Sequence, residues 1–265
     1  MAIKILTGWS NPGGSTLCIM NLAKKLHDNG YEVYVYGPHR WHIEQLSEQG
    51  YGIGRTAAQL RIDARDTLIQ HYVNIDPPVA VKKNIYWCHE MGSFMELNDD
   101  FAKKYDQIVF VSNTQKSTHP LSTNNVAVIP NFIDEFPKMT HERACGIIGS
   151  IDPNKNTHKS IHKALADGEE KIYLFGKVTD HQYYEWFVRP SVDSGKVFAP
   201  IYEEDKQKMY SKIDKVYHSA EVESFGLVKA ECYALGIDYV GTVGEEETSY
   251  KSNNEVFETW KKILQ

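Results

Sequence analysis

The chain has 265 residues, of which 42% are hydrophobic and 24% charged, which allows one large domain or two small ones with a buried core. Its net charge of −6 excludes a globally basic nucleic-acid-binding protein, although a local basic surface is still allowed. No apolar run approaches the roughly 20 residues of a membrane-spanning helix, and the segment 2–6 is too short and too soon polar for a signal peptide.

Strands alternate with helices along the whole chain, which predicts parallel α/β sheets. In the first half, apolar runs and turn residues predict strands at 3–6, 32–36, 84–88, 107–111 and 126–129, and helices at 15–29 and near 56–70. In the second half, the predicted strands are 145–149, 171–175, 197–199, 215–218 and 238–242, and the predicted helices are 156–166, 181–188, 203–213, the stretch that begins at Glu223, and 255–264.

A linker is predicted at 134–142, where Pro137 lies among mixed charges. We therefore predict an N-terminal domain at 1–137, a C-terminal domain at 138–250 and a closing helix at 251–265. Two such α/β domains form a cleft, and folds of this kind bind ligands at the carboxyl ends of their strands.

The first loop, Gly8 to Ser15, joins a predicted strand to a helix. Gly13 and Gly14 would let the backbone approach a ligand closely. The loop is not G-x-G-x-x-G, which weakens a dinucleotide-binding interpretation.

His89 follows the predicted strand 84–88, so it is expected to face the cleft. The alternative is a structural histidine. Cys88 beside it would point to the opposite face of the sheet, which argues against a thiol–imidazole pair.

Two carboxylates bracket the most informative stretch, because Glu223 and Glu231 lie eight residues apart around a Phe-Gly-Leu turn. In a mostly helical stretch they would be roughly 12 Å apart along the axis. A nucleotide-sugar places its sugar and its ribose at the two ends of a diphosphate, at about that separation. One carboxylate could accept hydrogen bonds from each, and a helix start between them would offer backbone N–H groups to the phosphates. The alternative is a solvated helix with two unrelated glutamates.

The stretch from Glu223 to Glu231 resembles the Glu-x7-Glu motif of retaining glycosyltransferases of the GT-B fold, especially family four. Residues 234–242 resemble that family's passage from helix to strand, with Asp238 in place of its usual proline. Softer similarities follow the family's order at 109–112, 128–134 and 174–177. The resemblance implies an α/β chain of GT-B type, with two Rossmann-like domains facing each other across a cleft.

The resemblance also implies site roles. Glu223 would bind the sugar hydroxyls and orient the anomeric carbon, Glu231 would bind the ribose, and His89 would be a second catalytic residue near the reacting carbon. Lys155 would neutralise the diphosphate, whereas the family's partner arginine is replaced by Ser150. Further donor contacts are implied for Gly13, Gly14, Ser224, Phe225, Gly226 and Leu227. The donor would be a UDP-linked sugar, with no metal and no cofactor.

Four of the six arginines fall close together, at Arg40, Arg55, Arg61 and Arg65. Guanidinium groups bind phosphates and aromatic rings stack on bases. An acceptor-binding role is therefore predicted for Arg40, Trp41, Arg61 and Arg65. The acceptor would be DNA with a hydroxymethylated base, as for the small family-four-like enzymes of phages. In the alternative these are ordinary surface arginines.

The sequence and the resemblance thus predict a glycosyltransferase that moves a sugar from a nucleotide-sugar to an acceptor hydroxyl with retention of configuration, and a hydroxymethylated DNA base is one candidate acceptor. The alternatives are an envelope glycan or lipid glycosyltransferase, a nucleotide-sugar epimerase or hydrolase, and a non-catalytic nucleotide-sugar binder. The four cysteines are too far apart for a zinc site or a disulfide framework, so we expect a cytoplasmic location.

Overall fold

The computed structural model describes residues 2–8, 13–37, 52–54, 62–77, 79–244 and 250–265, with 52–54 described for the backbone alone. Two compact units are present: residues up to 132 together with the C-terminal segment from 250, and residues 133–244. Both are α/β units built on parallel sheets. No helix among the described residues is long and apolar enough to cross a membrane.

The first unit contains a seven-stranded sheet in the order β3-β2-β1-β4-β5-β6-β7. Its strands are β1 (Ala2–Thr7), β2 (Glu32–Tyr36), β3 (Gly52–Gly54), β4 (Thr67–His71), β5 (Lys83–Cys88), β6 (Gln107–Phe110) and β7 (Val126–Val128). Its helices are α1 (Gly14–Asp28), α2 (Asp99–Ala102), α3 (Asn113–Ser117) and a C-terminal helix (Asn253–Leu264). The strand order reverses between β1 and β4, which is where doubly wound sheets open a ligand crevice.

The C-terminal helix packs on the first unit although it is last in sequence. The indole of Trp260 is fully buried against that of Trp87 at the end of β5, with ring centroids 4.8 Å apart. Lys83 donates a hydrogen bond to the carbonyl of Ile263 near the end of the helix. A Ser252–Glu255 capping box starts the helix, as its sequence favours.

The helix predicted near 56–70 is wrong over its last residues, because Thr67–His71 forms β4. This strand lies between β1 and β5, and all five of its residues are buried. Only Leu68 and Ile69 of these residues are apolar, and so short a signal cannot distinguish a buried strand from part of a helix. Residues 55–61 lie outside the described residues.

The second unit contains a four-stranded parallel sheet in the order β11-β10-β8-β9. Its strands are β8 (Cys145–Ile148), β9 (Ile172–Phe175), β10 (Lys215–Tyr217) and β11 (Asp238–Val240). Its helical segments are a 3-10 turn (Pro153–Lys155), α4 (Thr157–Ala166), α5 (His181–Tyr183), a π-helical turn (Tyr184–Val188), α6 (Arg189–Asp193), α7 (Lys206–Ser211) and α8 (Leu227–Leu235).

Three predicted elements of this unit differ from the structure. The strand predicted at 197–199 is reduced to an isolated bridge between Val197 and Ile172. The helix predicted at 203–213 is shorter, because the Asp205 side chain caps it at the Lys208 amide. The helix predicted to begin at Glu223 starts only at Leu227, since Gly226 before it has a left-handed φ of 79°.

Candidate functional site

The second unit brings the loops after β8 and β10 together at the carboxyl edge of its sheet. A small cavity there is lined by residues 147–151 with Lys155, Thr157, Ser160 and His218. The loop after β8 also touches the loop after β9, since a Cβ on Gly176 would lie 1.7 Å from the Gly149 carbonyl oxygen. Only glycine permits that approach.

Lys155 is presented by the 3-10 turn that follows β8. The Asp152 side chain caps this turn by accepting from the Lys155 amide at 3.1 Å. Asn156 then takes a left-handed φ of 48° and α4 begins. Lys155 therefore stands on a fixed turn, and its ammonium forms an ion pair with Glu223.

Glu223 lies in the loop between β10 and α8, with its side chain 17% exposed. Its Oε1 accepts hydrogen bonds from the Lys155 ammonium and from His218 Nε2, the latter at 3.0 Å. Burial alone would raise the pKa of Glu223, but the His218 hydrogen bond and the Lys155 charge outweigh it and lower that pKa from 4.5 to about 2. The carboxylate is therefore charged throughout the neutral range.

The second carboxylate oxygen of Glu223 has a different environment. Among the described residues, only Lys155 and His218 hydrogen-bond to this carboxylate, and both do so through Oε1. An ionised carboxylate accepts through both oxygens, so Oε2 has capacity for a further hydrogen bond.

Glu231 lies in the second turn of α8 and is 2% exposed. Lys206 Nζ donates to its Oε1 and the Tyr210 hydroxyl to its Oε2, each at 2.5 Å, and Lys206 also contacts Asp134 at 2.6 Å. Burial raises the pKa of the Glu231 carboxyl, and Lys206 and Tyr210 oppose that rise. Both oxygens of the residue predicted to bind ribose are thus already hydrogen-bonded within the protein.

The two glutamates are therefore not carried on one helix as predicted. Glu223 precedes the helix and Glu231 lies inside it, with the start of α8 between them. No described side chain caps this start, and its first turn carries no acidic residue. Phe225 is buried, so the loop from 224 to 226 is anchored just before the helix. A Cβ on Gly226 would lie 2.8 Å from Gly244 Cα.

His89 lies in the first unit, directly after β5, and is 5% exposed. Its Nε2 contacts Asn131 Oδ1 at 3.1 Å, and its ring meets that of His71 edge-on, with centroids 4.9 Å apart. Burial lowers the pKa of His89 well below its usual value, so the imidazole is neutral. Its Nδ1 is buried and has no hydrogen-bond partner among the described residues.

Gly13 and Gly14 lie at the start of α1 in the same unit. Gly13 is its N-cap, with an extended φ of −161° and no side-chain cap among the described residues. Among the described residues, a Cβ on Gly13 would meet nothing within 4 Å. The donor roles predicted for Gly13, Gly14 and His89 stay predictions.

Of the predicted acceptor residues, Arg65 alone is described. Its side chain is 79% exposed and pairs with Asp63 at 2.9 Å. The Arg65 hydrogen bonds lower the pKa of Asp63 to about 2, so an ionised carboxylate offsets the charge of Arg65. Arg40, Trp41 and Arg61 lie outside the described residues.

Sequence reasoning missed the residues that contact the two glutamates, namely His218, Lys206 and Tyr210. His218 directly follows β10, five residues before Glu223. A histidine at the carboxyl end of a strand beside a singled-out carboxylate was the available signal. Lys206 and Tyr210 lie on α7, and no sequence pattern indicates that this helix packs against α8.

No protein-family model and no curated protein matches the sequence. Solved structures do match the fold. Anabaena HepE in complex with UDP and glucose has a TM-score of 0.68 at 16% identity, covering 92% of this chain and 81% of HepE. A glycosyltransferase from Rickettsia africae has a TM-score of 0.67 at 14% identity, covering 99% of this chain and 87% of its own.

WaaG, a glycosyltransferase involved in lipopolysaccharide biosynthesis, has a TM-score of 0.64 at 12% identity, covering 99% of this chain and 90% of WaaG. At these identities the likeness establishes the fold. The chain thus has the α/β fold with parallel sheets that is found in GT-B glycosyltransferases.

Proposed function

We propose that the protein is a glycosyltransferase that moves a sugar from a nucleotide-sugar to an acceptor hydroxyl with retention of configuration. The observation that carries this proposal is the Glu223 carboxylate. One of its oxygens is held by Lys155 and His218, and the other is free of described partners. A fixed carboxylate with one available oxygen is suited to accept a hydrogen bond from a sugar hydroxyl.

The donor would bind to the second unit at the carboxyl edge of its sheet. Lys155 and the backbone N–H groups at the start of α8 would bind the diphosphate, because a cation and a helix start both favour negative charge. Glu223 would bind the sugar. Glu231 would reach the ribose only by sharing its oxygens with Lys206 and Tyr210, so its contribution is to fix α8 as much as to bind.

The reaction breaks the bond between the anomeric carbon and the diphosphate oxygen and forms a bond to the acceptor oxygen. For retention, the acceptor hydroxyl attacks from the face that the diphosphate leaves, through an oxocarbenium-like state. The hydroxyl proton passes to the departing phosphate oxygen. Lys155 stabilises the charge that develops on the diphosphate, and Ser150 supplies no second cation there.

Two acceptors have specific support. The clustered arginines and Trp41 support a hydroxymethylated base in DNA, although Asp63 neutralises Arg65. The likeness in fold to WaaG, which is involved in lipopolysaccharide biosynthesis, supports an envelope glycan or lipid. Both are hydroxyl acceptors, so the chemistry at Glu223 is the same.

The test incubates the protein with a panel of radiolabelled nucleotide-sugars and two acceptors, hydroxymethylcytosine-containing DNA and an envelope extract. The proposal expects label on one acceptor, lost in Glu223→Ala and kept in Glu221→Ala, a matched control in the same loop. Weaker labelling of DNA in Arg61→Ala would support the DNA acceptor. Tight nucleotide-sugar binding with no transfer to either acceptor would favour a non-catalytic binder, and a changed sugar without acceptor would favour an epimerase or hydrolase.

A further inference from the structure

His218 stands closest to Glu223 of the residues that sequence reasoning overlooked. Its backbone amide donates to the Val240 carbonyl on β11 at 2.9 Å, and the residue is only 6% exposed. A Cβ on Gly241 would lie 2.6 Å from the His218 carbonyl oxygen, so the end of β10 packs tightly against the start of the loop that follows β11. The imidazole is thus held on a rigid strand end.

The direction of the hydrogen bond follows from its partner. An ionised carboxylate only accepts, so His218 Nε2 carries the proton that it shares with Glu223 Oε1. Lys155 donates to the same oxygen from the opposite loop. Glu223 Oε1 therefore has one partner on a rigid strand end and one on a long, flexible side chain that is 31% exposed.

Donor binding would change this arrangement, and this step rests on the proposed function. If Lys155 turns to the diphosphate, its contact with Glu223 must weaken. A largely buried carboxylate that loses its partners is strongly destabilised. His218 would then be the partner that stays.

We propose that His218 is a positioning residue: it keeps the Glu223 carboxylate in place and hydrogen-bonded while Lys155 exchanges Glu223 for the donor diphosphate. It touches no reacting atom and acts through Glu223. The free-energy cost of releasing Lys155 from Glu223 is thereby lowered. His218 therefore raises the affinity for the diphosphate without contacting it.

The test is a double-mutant cycle read out as the Kd for UDP by calorimetry, with GDP as the second probe. His218→Leu keeps the bulk of the side chain and removes the donor. It should weaken UDP binding about tenfold in the wild-type background and have no effect in the Glu223→Gln background, where Lys155 no longer pairs with a charge. His218→Gln, which retains an N–H at similar reach, should restore most of the affinity.

Equal losses of UDP affinity in the wild-type and Glu223→Gln backgrounds would show that His218 only supports the local fold. An unchanged Kd in His218→Leu would show that His218 has no role in binding. Either result overturns the inference. Circular dichroism and thermal unfolding check that each variant is folded. If His218→Leu does not fold, comparison of His218→Gln with the shorter His218→Asn replaces it, and equal Kd values for the two would overturn the inference. Failure of the wild type to bind any nucleoside diphosphate would instead overturn the proposed function.

Discussion

Replacing Glu223 by glutamine should make the protein bind UDP more tightly, although it should abolish sugar transfer. In the structure, Glu223 pairs with Lys155, the cation that is proposed to bind the diphosphate. Glutamine keeps the shape and a hydrogen-bond acceptor but removes the charge. Lys155 is then released to bind phosphate, and the carboxylate that would repel phosphate is gone.

The magnitude follows from the geometry of the pair. At a typical ion-pair separation of about 3 Å, Coulomb's law gives about 1.4 kcal/mol in water and about 5.5 kcal/mol at an effective dielectric constant of about 20. The side chains of Lys155 and Glu223 are 31% and 17% exposed, so the bulk-water value is the lower limit of the effect. About 1.4 kcal/mol corresponds to a tenfold lower Kd for UDP.

The assay is isothermal titration calorimetry with UDP at two salt concentrations, because an effect of charge shrinks as salt rises. Glu221→Gln is the matched control. Glu221 lies in the same loop and pairs with Lys159 at 3.1 Å, but its side chain is 73% exposed, so its removal should leave the Kd unchanged. If Glu223→Gln bound UDP more weakly than wild type, Glu223 would not be competing with the diphosphate for Lys155.

Three further predictions concern stability, each measured by urea unfolding. The pKa of Glu223 in the folded protein, about 2, lies below its ordinary 4.5, so the ionised carboxylate stabilises the fold above pH 4.5 and this stabilisation is lost as the pH falls towards 2. The difference in unfolding free energy between wild type and Glu223→Gln should therefore shrink by about 3 kcal/mol across that window. A difference that stays constant with pH would contradict the lowered pKa. Gly226→Ala should cost about 1–3 kcal/mol because of the left-handed φ of 79°. Gly13→Ala should cost less, about 0.5 kcal/mol, because the extended φ of −161° at Gly13 suits any residue; equal costs would contradict this. Glu231→Ala should cost about 3 kcal/mol, because it removes the acceptor of the buried Tyr210 hydroxyl and leaves Lys206 with Asp134 alone of its two carboxylate partners. A neutral effect would show that these contacts contribute nothing.

Local sequence patterns were sufficient to predict those helices and strands whose own residues show a clear apolar pattern. The strand at 3–6 and the helix after it were predictable because β1 places Ile3, Ile5 and Leu6 in one short run and α1 has an apolar stripe closed by Gly30. The strand β4 was not, since only two of its five residues, Leu68 and Ile69, are apolar. The tertiary context decided that case.

At the candidate site, too, single residues could be predicted from the sequence but their contacts could not. Glu223 and Lys155 could be singled out by motif, and the structure brings them into contact. Their contact itself was unpredictable, because it depends on how the loops after β8 and β10 meet in space. The partners of Glu231 come from α7, 21 and 25 residues earlier in the chain, and no local pattern encodes such a distant pairing.

Glu223 is proposed to act on the sugar of a nucleotide-sugar held by the second unit. The most direct measurement is the rate of nucleoside diphosphate release from a panel of nucleotide-sugars, with the hydroxymethylcytosine-containing DNA and the envelope extract both present. It compares wild type, Glu223→Gln and Glu221→Gln. Wild type and Glu221→Gln should release nucleoside diphosphate from at least one nucleotide-sugar. The rate should be at least a hundredfold lower in Glu223→Gln, which should still bind UDP. Wild-type rates in Glu223→Gln would contradict the claim.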